Sequence, residues 1–389
     1  MTIQSALSGR SKRWGHPGAF MQAVTNMLDP ATDAEKAARF ASLSRDDRIF
    51  HVVLAQQFDT QSIEELCQLS EMIRKIASHR QGNLFLQTLL SDRRAMLYFI
   101  QPSTRTFMSF TAASQILGMG YNSVRDPSTS SETKGETEDD TIRVLSQYFD
   151  VIIMRHPVEG FAEHVADILN GIPRTIPVVN GGSGKDQHPT QALLDIYTLF
   201  KCFTEHNTDT PLTEYSGNPF AGKTVGFVGD LKRGRTVRSL TYLLCRYPGV
   251  RLMFMSPPEL QIGPDILEYV QRNGIEYEIC DELESHIGEL DAIYVTRLQD
   301  EHDVNGESKS IDYYKFALTH EMAGRFKADL AILHPLPRRH ELDPRLDALP
   351  QAKYWGQVRN GMWMRSALMA YIFRVDGTIR DHYRNYYAF

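Results

Sequence analysis

The sequence predicts an α/β protein with two doubly wound domains and parallel sheets, and three observations support this prediction. The 389 residues exceed what one ordinary hydrophobic core supports. Short apolar runs alternate with amphipathic helical patterns along most of the chain. The alternation is interrupted once, by the polar segment 201–220, and then begins again. Because ligands of such sheets bind beyond the carboxyl ends of the strands, the loops at those ends are the expected site.

In the first half, residues 1–47 lack a strand pattern and are predicted to be an N-terminal extension. A short amphipathic helix around Phe20 to Leu28 would pack as a surface arm or bind a partner, and the pattern leaves both open. Continuous apolar runs then predict strands that are buried on both faces. These strands are 95–100, 151–154 and 175–179; helices follow Thr106 and Thr137, and a third covers 188–200.

In the second half, the same criteria predict strands at 224–229, 251–255, 276–280, 292–295 and 330–333. Helices are predicted at 234–245, 265–273 and 360–373. The domains are therefore expected at 48–200, completed by a C-terminal helix 360–389, and at 221–359, with 201–220 as the connection.

Composition excludes several classes of protein. A formal net charge of −6 argues against a general nucleic-acid-binding surface. No apolar run is long enough to span a membrane, and the first residues lack the apolar core of a secretory signal. The cysteines are scattered without a C-x-x-C pair, which favours a reducing cytoplasm over a disulfide scaffold or a cysteine zinc site. No metal ion and no cofactor is expected.

Cations recur at the predicted strand ends of this acidic chain: Arg105, Lys134, Arg155, Arg235 and Arg297. Such a concentration suits a substrate site for several negative charges that is shared between the two domains. Hydroxyls and an arginine at 103–106 would form an anion site at a helix N-terminus, although a plain helix cap explains this tetrapeptide equally well. Gly234-Arg235-Thr236 differs from a P-loop because arginine replaces the lysine, so an NTPase is not favoured.

Several segments together resemble the transcarbamylase family, and within it the aspartate branch, over roughly residues 48–375. The resemblance rests on Ser103-Thr104-Arg105-Thr106, Lys134-Gly135-Glu136-Thr137, Arg155-His156-Pro157, His188-Pro189-Thr190-Gln191, Gly234-Arg235-Thr236, Thr296-Arg297-Leu298-Gln299 and His334-Pro335-Leu336-Pro337. The last tetrapeptide is similar to the aspartate branch, since ornithine enzymes usually have cysteine at the position of Pro335.

The resemblance implies transfer of a carbamoyl group from carbamoyl phosphate to the amine of L-aspartate, giving N-carbamoyl-L-aspartate and phosphate in pyrimidine biosynthesis. It implies a site in the cleft between the domains and at the subunit interface of a homotrimer, or a multiple of it, without a metal or cofactor. Domain 48–200 would bind carbamoyl phosphate and domain 221–359 aspartate. Regulatory chains and other enzymes of the pathway are potential partners.

The implied site has two parts, and Arg105, His188 and Lys134 would be its catalytic residues. Carbamoyl phosphate would contact Ser103, Thr104, Arg105, Thr106, Ser130, Lys134, Arg155, His188 and Gln191, with Ser130 and Lys134 supplied by a neighbouring subunit. Aspartate would contact Lys134, Arg235, Arg297, Gln299, Leu336 and Pro337.

Three positions depart from the family pattern: Gln101 replaces a usual glutamate, His302 a usual arginine and Phe107 a common arginine. The first two weaken the charges that the family uses in domain closure. Two other functions stay open from the sequence: a transcarbamylase with another amine acceptor, and a non-catalytic scaffold. The scaffold is disfavoured by the presence of Ser103, Thr104, Arg105, Lys134, Arg155 and His188.

Overall fold

A computed structural model describes residues 33–125, 136–184, 187–207, 210–299 and 313–388. These residues form two compact units. The first unit contains residues 33–53, 92–104 and 120–184, and the second contains 54–91, 105–119 and the described residues from 187 onward. The amphipathic segment near Phe20, together with Ser130, Lys134 and His302, lies outside the described residues.

The α-helices and β-strands alternate through most of the described chain. The α-helices are α1 (Asp33–Ser42), α2 (Thr60–Ile76), α3 (Arg80–Thr88), α4 (Thr104–Ile116), α5 (Glu138–Tyr148), α6 (Phe161–Asn170), α7 (Pro189–Asn207), α8 (Arg235–Leu244), α9 (Pro264–Arg272), α10 (Tyr354–Ile372) and α11 (Asp376–Tyr386). The β-strands are β1 (Ser44–Arg45), β2 (Arg48–Ile49), β3 (Arg94–Phe99), β4 (Gly120–Val124), β5 (Val151–His156), β6 (Val178–Ser183), β7 (Thr224–Val228), β8 (Arg251–Met255), β9 (Glu276–Cys280), β10 (Ala292–Val295) and β11 (Ala331–Leu333).

The sheet of the first unit has the strand order β4-β3-β5-β6, and every pair is parallel. Strands β5 and β6 are buried along their whole length. Helix α5 begins as the sequence predicts, because the hydroxyl of Thr137 accepts a hydrogen bond from the Asp140 amide at 3.1 Å and three acidic residues fill the first turn. Strand order reverses between β3 and β5, so the loops after these two strands lie at a switch point.

The sheet of the second unit has the order β11-β10-β7-β8-β9, again entirely parallel. The chain proceeds from β7 to one side through β8 and β9, and then to the other side through β10 and β11. The switch point therefore lies between β7 and β10. Helix α10 packs against α2 and α7 within the same unit. Among the described residues, no helix combines the length and apolar character that crossing a membrane requires.

The parallel α/β architecture predicted from the sequence is confirmed, while several element boundaries were wrong. Helix α7 continues to Asn207, inside the segment predicted as a connection. Strand β6 begins three residues later than predicted and continues to Ser183, four residues beyond its predicted end. It can extend because the Asn180 side chain donates to the carbonyl of Val53 at 3.1 Å and accepts from the Gly182 amide at 2.8 Å.

Candidate active site

The first unit places two predicted site segments at its switch point. Ser103 follows β3, and Thr104 is the first residue of α4, so the free amides of a helix N-terminus lie just beyond the strand. Arg155 lies near the end of the neighbouring strand β5, paired with Phe99, and its carbonyl accepts from the Gln101 amide at 3.1 Å. The buried Arg155 guanidinium donates to the Gly181 carbonyl at 3.0 Å. The loops after β3 and β5 are therefore adjacent, as the sequence predicted.

In the second unit, Arg105 brings together two further predicted segments. Its guanidinium donates to the carbonyl of Leu336 at 2.6 Å. Although Arg105 remains exposed to solvent, partial desolvation of its guanidinium and then the charge of Arg297 lower its pKa. Two cations that lie on separate segments of the chain and repel one another in this way indicate a location where an anionic ligand would be stabilised.

The His188 segment is held by a set of buried hydrogen bonds. The His188 amide donates to the hydroxyl of Ser239 at 3.0 Å, and that hydroxyl donates to Gln187 Oε1 at 3.2 Å. Gln187 Oε1 also accepts from the Ala55 amide at 3.2 Å. The His188 carbonyl accepts from the Gln191 and Ala192 amides, which forms the first turn of α7. His188 and Gln191 thus share a helix face, as their spacing predicted.

At the second switch point, the buried carboxylate of Asp230 joins the loops that follow β7 and β10. One oxygen accepts from the Arg233 amide at 3.1 Å and the other from the Gln299 amide at 3.1 Å. A Cβ built at Gly234 would lie 3.7 Å from Gln299 Nε2, so the Gln299 side chain lies beside the N-terminus of α8, where Arg235 begins the helix. The predicted aspartate-binding residues of these two loops are therefore neighbours.

His334 shapes the loop that carries Leu336 and Pro337. Its Nδ1 accepts from the Leu336 amide at 2.7 Å, and its Nε2 pairs with Glu341 Oε1 at 2.8 Å. Burial lowers the pKa of His334 despite the neighbouring carboxylate, so the ring is neutral with its proton on Nε2. Leu336 has φ of 56°, a left-handed conformation that is uncommon for a residue with a side chain and is enriched at functional sites.

All but two of the predicted site residues lie within the described chain. Ser103, Thr104 and Arg155 belong to the first unit; Arg105, Thr106, His188, Gln191, Arg235, Arg297, Gln299, Leu336 and Pro337 belong to the second. Ser130 and Lys134 are outside the described residues. The sequence did not predict four further residues that form hydrogen bonds with these segments: Asp195, Ser239, Glu341 and Gln357. Asp195 had a detectable signal: it is an acid within an otherwise apolar helical stretch.

One group in the described chain offers metal-ligand atoms, at the edge strand β9. Ligand atoms of Glu278, Cys280 and His286 lie within 4.8 Å of one another. However, Glu278 already accepts from the Arg251 guanidinium at 2.5 Å, and His286 Nδ1 pairs with Glu289 at 3.1 Å. A guanidinium beside the carboxylate disfavours a second cation, so this group is better explained as an ion-pair network.

Models of known families match both halves of the chain. The carbamoyl-phosphate-binding domain of aspartate/ornithine carbamoyltransferases matches residues 51–201. The aspartate/ornithine-binding domain of the same family matches residues 221–372. Together these matches cover most of the chain, so the protein belongs to the aspartate/ornithine carbamoyltransferase family, which confirms the resemblance seen in its motifs.

Individual relatives place it nearer the aspartate branch. The aspartate carbamoyltransferase catalytic subunit of Methanopyrus kandleri is 37% identical over 319 residues, covering 82% of this chain and 95% of that protein. The solved catalytic subunit of aspartate transcarbamoylase from M. jannaschii is 34% identical with a TM-score of 0.70, covering 84% and 99% of the two chains. Aspartate transcarbamoylase from Trypanosoma cruzi, solved with N-(phosphonacetyl)-L-aspartic acid, is 32% identical with a TM-score of 0.72, covering 83% and 95%.

Proposed function

We propose that this chain transfers the carbamoyl group of carbamoyl phosphate to the amine of L-aspartate, as a catalytic subunit of pyrimidine biosynthesis. One observation supports the proposal most directly. Arg105 is bonded to the carbonyl of Leu336 and is electrostatically coupled to Arg297. Arg105 is the predicted contact for the phosphate and the oxyanion, Leu336 for the reacting amine and Arg297 for an aspartate carboxylate. Their interactions therefore support a shared site for both substrates.

The proposed reaction needs positioning and charge stabilisation rather than a covalent intermediate. The neutral amine of aspartate attacks the carbamoyl carbon, a C–N bond forms, and the carbonyl oxygen gains negative charge. The bond from carbon to the phosphate oxygen then breaks, and the departing phosphate accepts the proton that the amine loses. Arg105 would stabilise the oxyanion and the leaving phosphate together with His188, since preorganised donors are most effective where charge develops.

Substrate selection is proposed to reside in the two groups of site residues. Ser103, Thr104, Thr106 and Arg155 would hold the phosphate, and Gln191 the carbamoyl amide. Arg235, Arg297 and Gln299 would bind the carboxylates of aspartate beside the N-terminus of α8. The regions 48–200, with the C-terminal helical segment 360–389, and 221–359 are accordingly proposed as the carbamoyl-phosphate-binding and aspartate-binding domains.

The assembly is proposed to be a homotrimer, or a multiple of it, in which Ser130 and Lys134 complete a neighbouring subunit's site. Both residues lie outside the described chain, so support comes from the family motif around Lys134 and from relatives that are named as catalytic subunits. A reducing cytoplasmic location is proposed from the cysteines, which are all buried free thiols.

An amine panel tests the function. Purified chain is mixed with carbamoyl phosphate and, separately, with L-aspartate, L-ornithine and other amino acids, and both phosphate release and the carbamoylated product are measured. Formation of a carbamoylated product from L-aspartate, and from no other amine in the panel, supports the proposal. Preference for another amine would overturn the acceptor assignment, and absence of product with every amine would overturn catalysis.

A further inference from the structure

We propose that Asp195 is a positioning residue for carbamoyl transfer, which fixes the orientation of the Gln191 amide and holds it relative to the loops that carry Arg297 and Leu336. The inference deepens the proposed function and rests on it. Asp195 lies on α7, one turn after Gln191, and is fully buried.

The Asp195 carboxylate accepts three side-chain hydrogen bonds from three elements. Its Oδ1 accepts from Gln191 Nε2 at 2.8 Å and from Gln357 Nε2 at 2.6 Å. Its Oδ2 accepts from the hydroxyl of Tyr294 at 2.8 Å. A buried carboxylate with three donors is a costly arrangement unless every bond is made, so its geometry is narrowly defined.

This arrangement determines which end of the Gln191 amide faces the ligand. An ionised carboxylate only accepts hydrogen bonds, so Gln191 must present its NH₂ group to Asp195. Its Oε1 is then directed elsewhere and remains an acceptor. The carbamoyl group of carbamoyl phosphate carries an NH₂ donor, which is the complement of that oxygen. If the Gln191 amide were reversed, its NH₂ group would face the NH₂ group of the substrate, and no hydrogen bond would form.

The other two bonds reach the remaining substrate-binding segments. Tyr294 lies on β10, three residues before Arg297. Gln357 lies on α10, and its Oε1 accepts from the His334 amide at 2.9 Å, at the start of the loop that contains Leu336. The Asp195 carboxylate therefore contacts α7, which is predicted to bind the carbamoyl group, and β10, which leads to Arg297. Through Gln357 it is also linked to the loop that is predicted to bind the reacting amine.

Burial and the neighbouring groups have opposite effects on the pKa of Asp195, and its carboxyl group is mainly ionised above about pH 7. Burial raises its pKa to about 7, against the lowering effect of the bonds from Gln357, Tyr294 and Gln191 and of the charge of Arg365. Arg365 is also buried, donates to the Ser109 hydroxyl at 2.7 Å and has its pKa lowered to about 10 by that burial. Protonation of Asp195 would turn one accepting oxygen into a donor and disrupt a bond.

The test separates orientation of the amide from general packing. Affinities are measured at pH 8 by calorimetry for two probes: phosphonoacetamide, which has the amide of carbamoyl phosphate, and methylphosphonate, which lacks it. The variant is Asp195→Asn. The matched control is Thr198→Val, one turn further along α7, whose buried hydroxyl accepts from Asn360 at 3.0 Å and does not contact Asp195. Melting temperatures of both variants are recorded.

Asp195→Asn is expected to lower the affinity for phosphonoacetamide by about tenfold, which corresponds to the loss of roughly one hydrogen bond. The affinity for methylphosphonate should stay unchanged. It should also lower kcat with aspartate by at least about tenfold. Thr198→Val should lose thermal stability but keep wild-type affinities and kcat. Equal weakening of both probes, or changes that Thr198→Val reproduces, would reduce Asp195 to a packing role and overturn the inference.

Tyr294→Phe provides a second variant if Asp195→Asn does not fold. Removing one hydroxyl frees Oδ2 to move, so the preference for phosphonoacetamide over methylphosphonate should fall several-fold. An unchanged preference would contradict the inference. The wild-type chain separates the two proposals: if it fails to carbamoylate aspartate, the proposed function falls and the inference with it. An active wild type with unaltered variants overturns the inference alone.

Discussion

Replacement of Arg105 by alanine is the most informative single perturbation of the site. The substitution removes the donor that contacts the Leu336 carbonyl at 2.6 Å and one of the two mutually repelling cations. Because Arg105 is exposed, its hydrogen bond contributes only about 1 kcal/mol to folding, and the melting temperature should change by no more than a few degrees.

The catalytic loss should be much larger than the loss of stability. A preorganised donor aimed at a developing oxyanion contributes about 3–4 kcal/mol to the transition state, which corresponds to a decrease of roughly 10²–10³-fold in kcat. Arg105→Lys keeps the charge but not the forked geometry, so it should recover only part of the rate. Arg272→Ala, which breaks an exposed ion pair on α9, is the control and should remain fully active.

The assay is steady-state carbamoylation of aspartate at saturating substrates, with the folded fraction determined by circular dichroism. The reasoning is refuted if folded Arg105→Ala keeps a kcat near the wild-type value. It is also refuted if activity is lost only in proportion to unfolding, because that would make Arg105 a structural residue.

Three further predictions concern other groups. Arg297→Ala should chiefly raise KM for aspartate with little change in carbamoyl phosphate affinity; an effect confined to carbamoyl phosphate would reverse the domain roles. Inactive Lys134→Ala and Arg105→Ala chains, mixed and reassembled, should regain part of the wild-type activity; no recovery after confirmed subunit exchange would mean that Lys134 serves its own chain. Burial lowers the pKa of His51 to about 4 from 6.5, so the unfolded state binds more protons between these values. As pH falls from about 6.5 to 4, the free energy of unfolding in urea should therefore decrease by about 3 kcal/mol more in the wild type than in His51→Asn; an equal change in the two proteins would exclude this role of His51.

Buried strands were the most predictable elements, because burial on both faces leaves a continuous apolar run. Strands β5 and β10 match their predicted starts, and both are buried throughout. Strand β4 was missed because it forms the edge of its sheet and is largely exposed, so Gly120–Val124 shows neither an apolar run nor alternation. The end of α7 was misplaced since its last residues are polar, and polarity alone resembled a connection.

The residues of the candidate site likewise include some that the sequence predicts and some that it does not. Residues at or beyond the ends of strands, such as Arg105, Arg155 and Arg297, were predictable because parallel strands direct their carboxyl ends to one edge of the sheet. The roles of Asp195 and Gln357 were not predictable, because they come from contacts between positions 162 residues apart in the sequence. Periodicity predicts which residues are buried, but it does not reveal which buried polar groups meet.

N-(phosphonacetyl)-L-aspartate carries both the phosphonate and the aspartate carboxylates, so its affinity shows whether the Arg105 and Arg297 segments bind one ligand together. Calorimetry would compare it with phosphonoacetamide in the wild type, Arg105→Ala and Arg297→Ala. We expect the wild type to bind N-(phosphonacetyl)-L-aspartate at least about 100-fold more tightly than phosphonoacetamide. Arg297→Ala should lose most of this difference in affinity, and Arg105→Ala should bind both compounds more weakly. Equal affinity of the wild type for the two compounds would show that the Arg297 loop binds no part of the acceptor, and would contradict the claim.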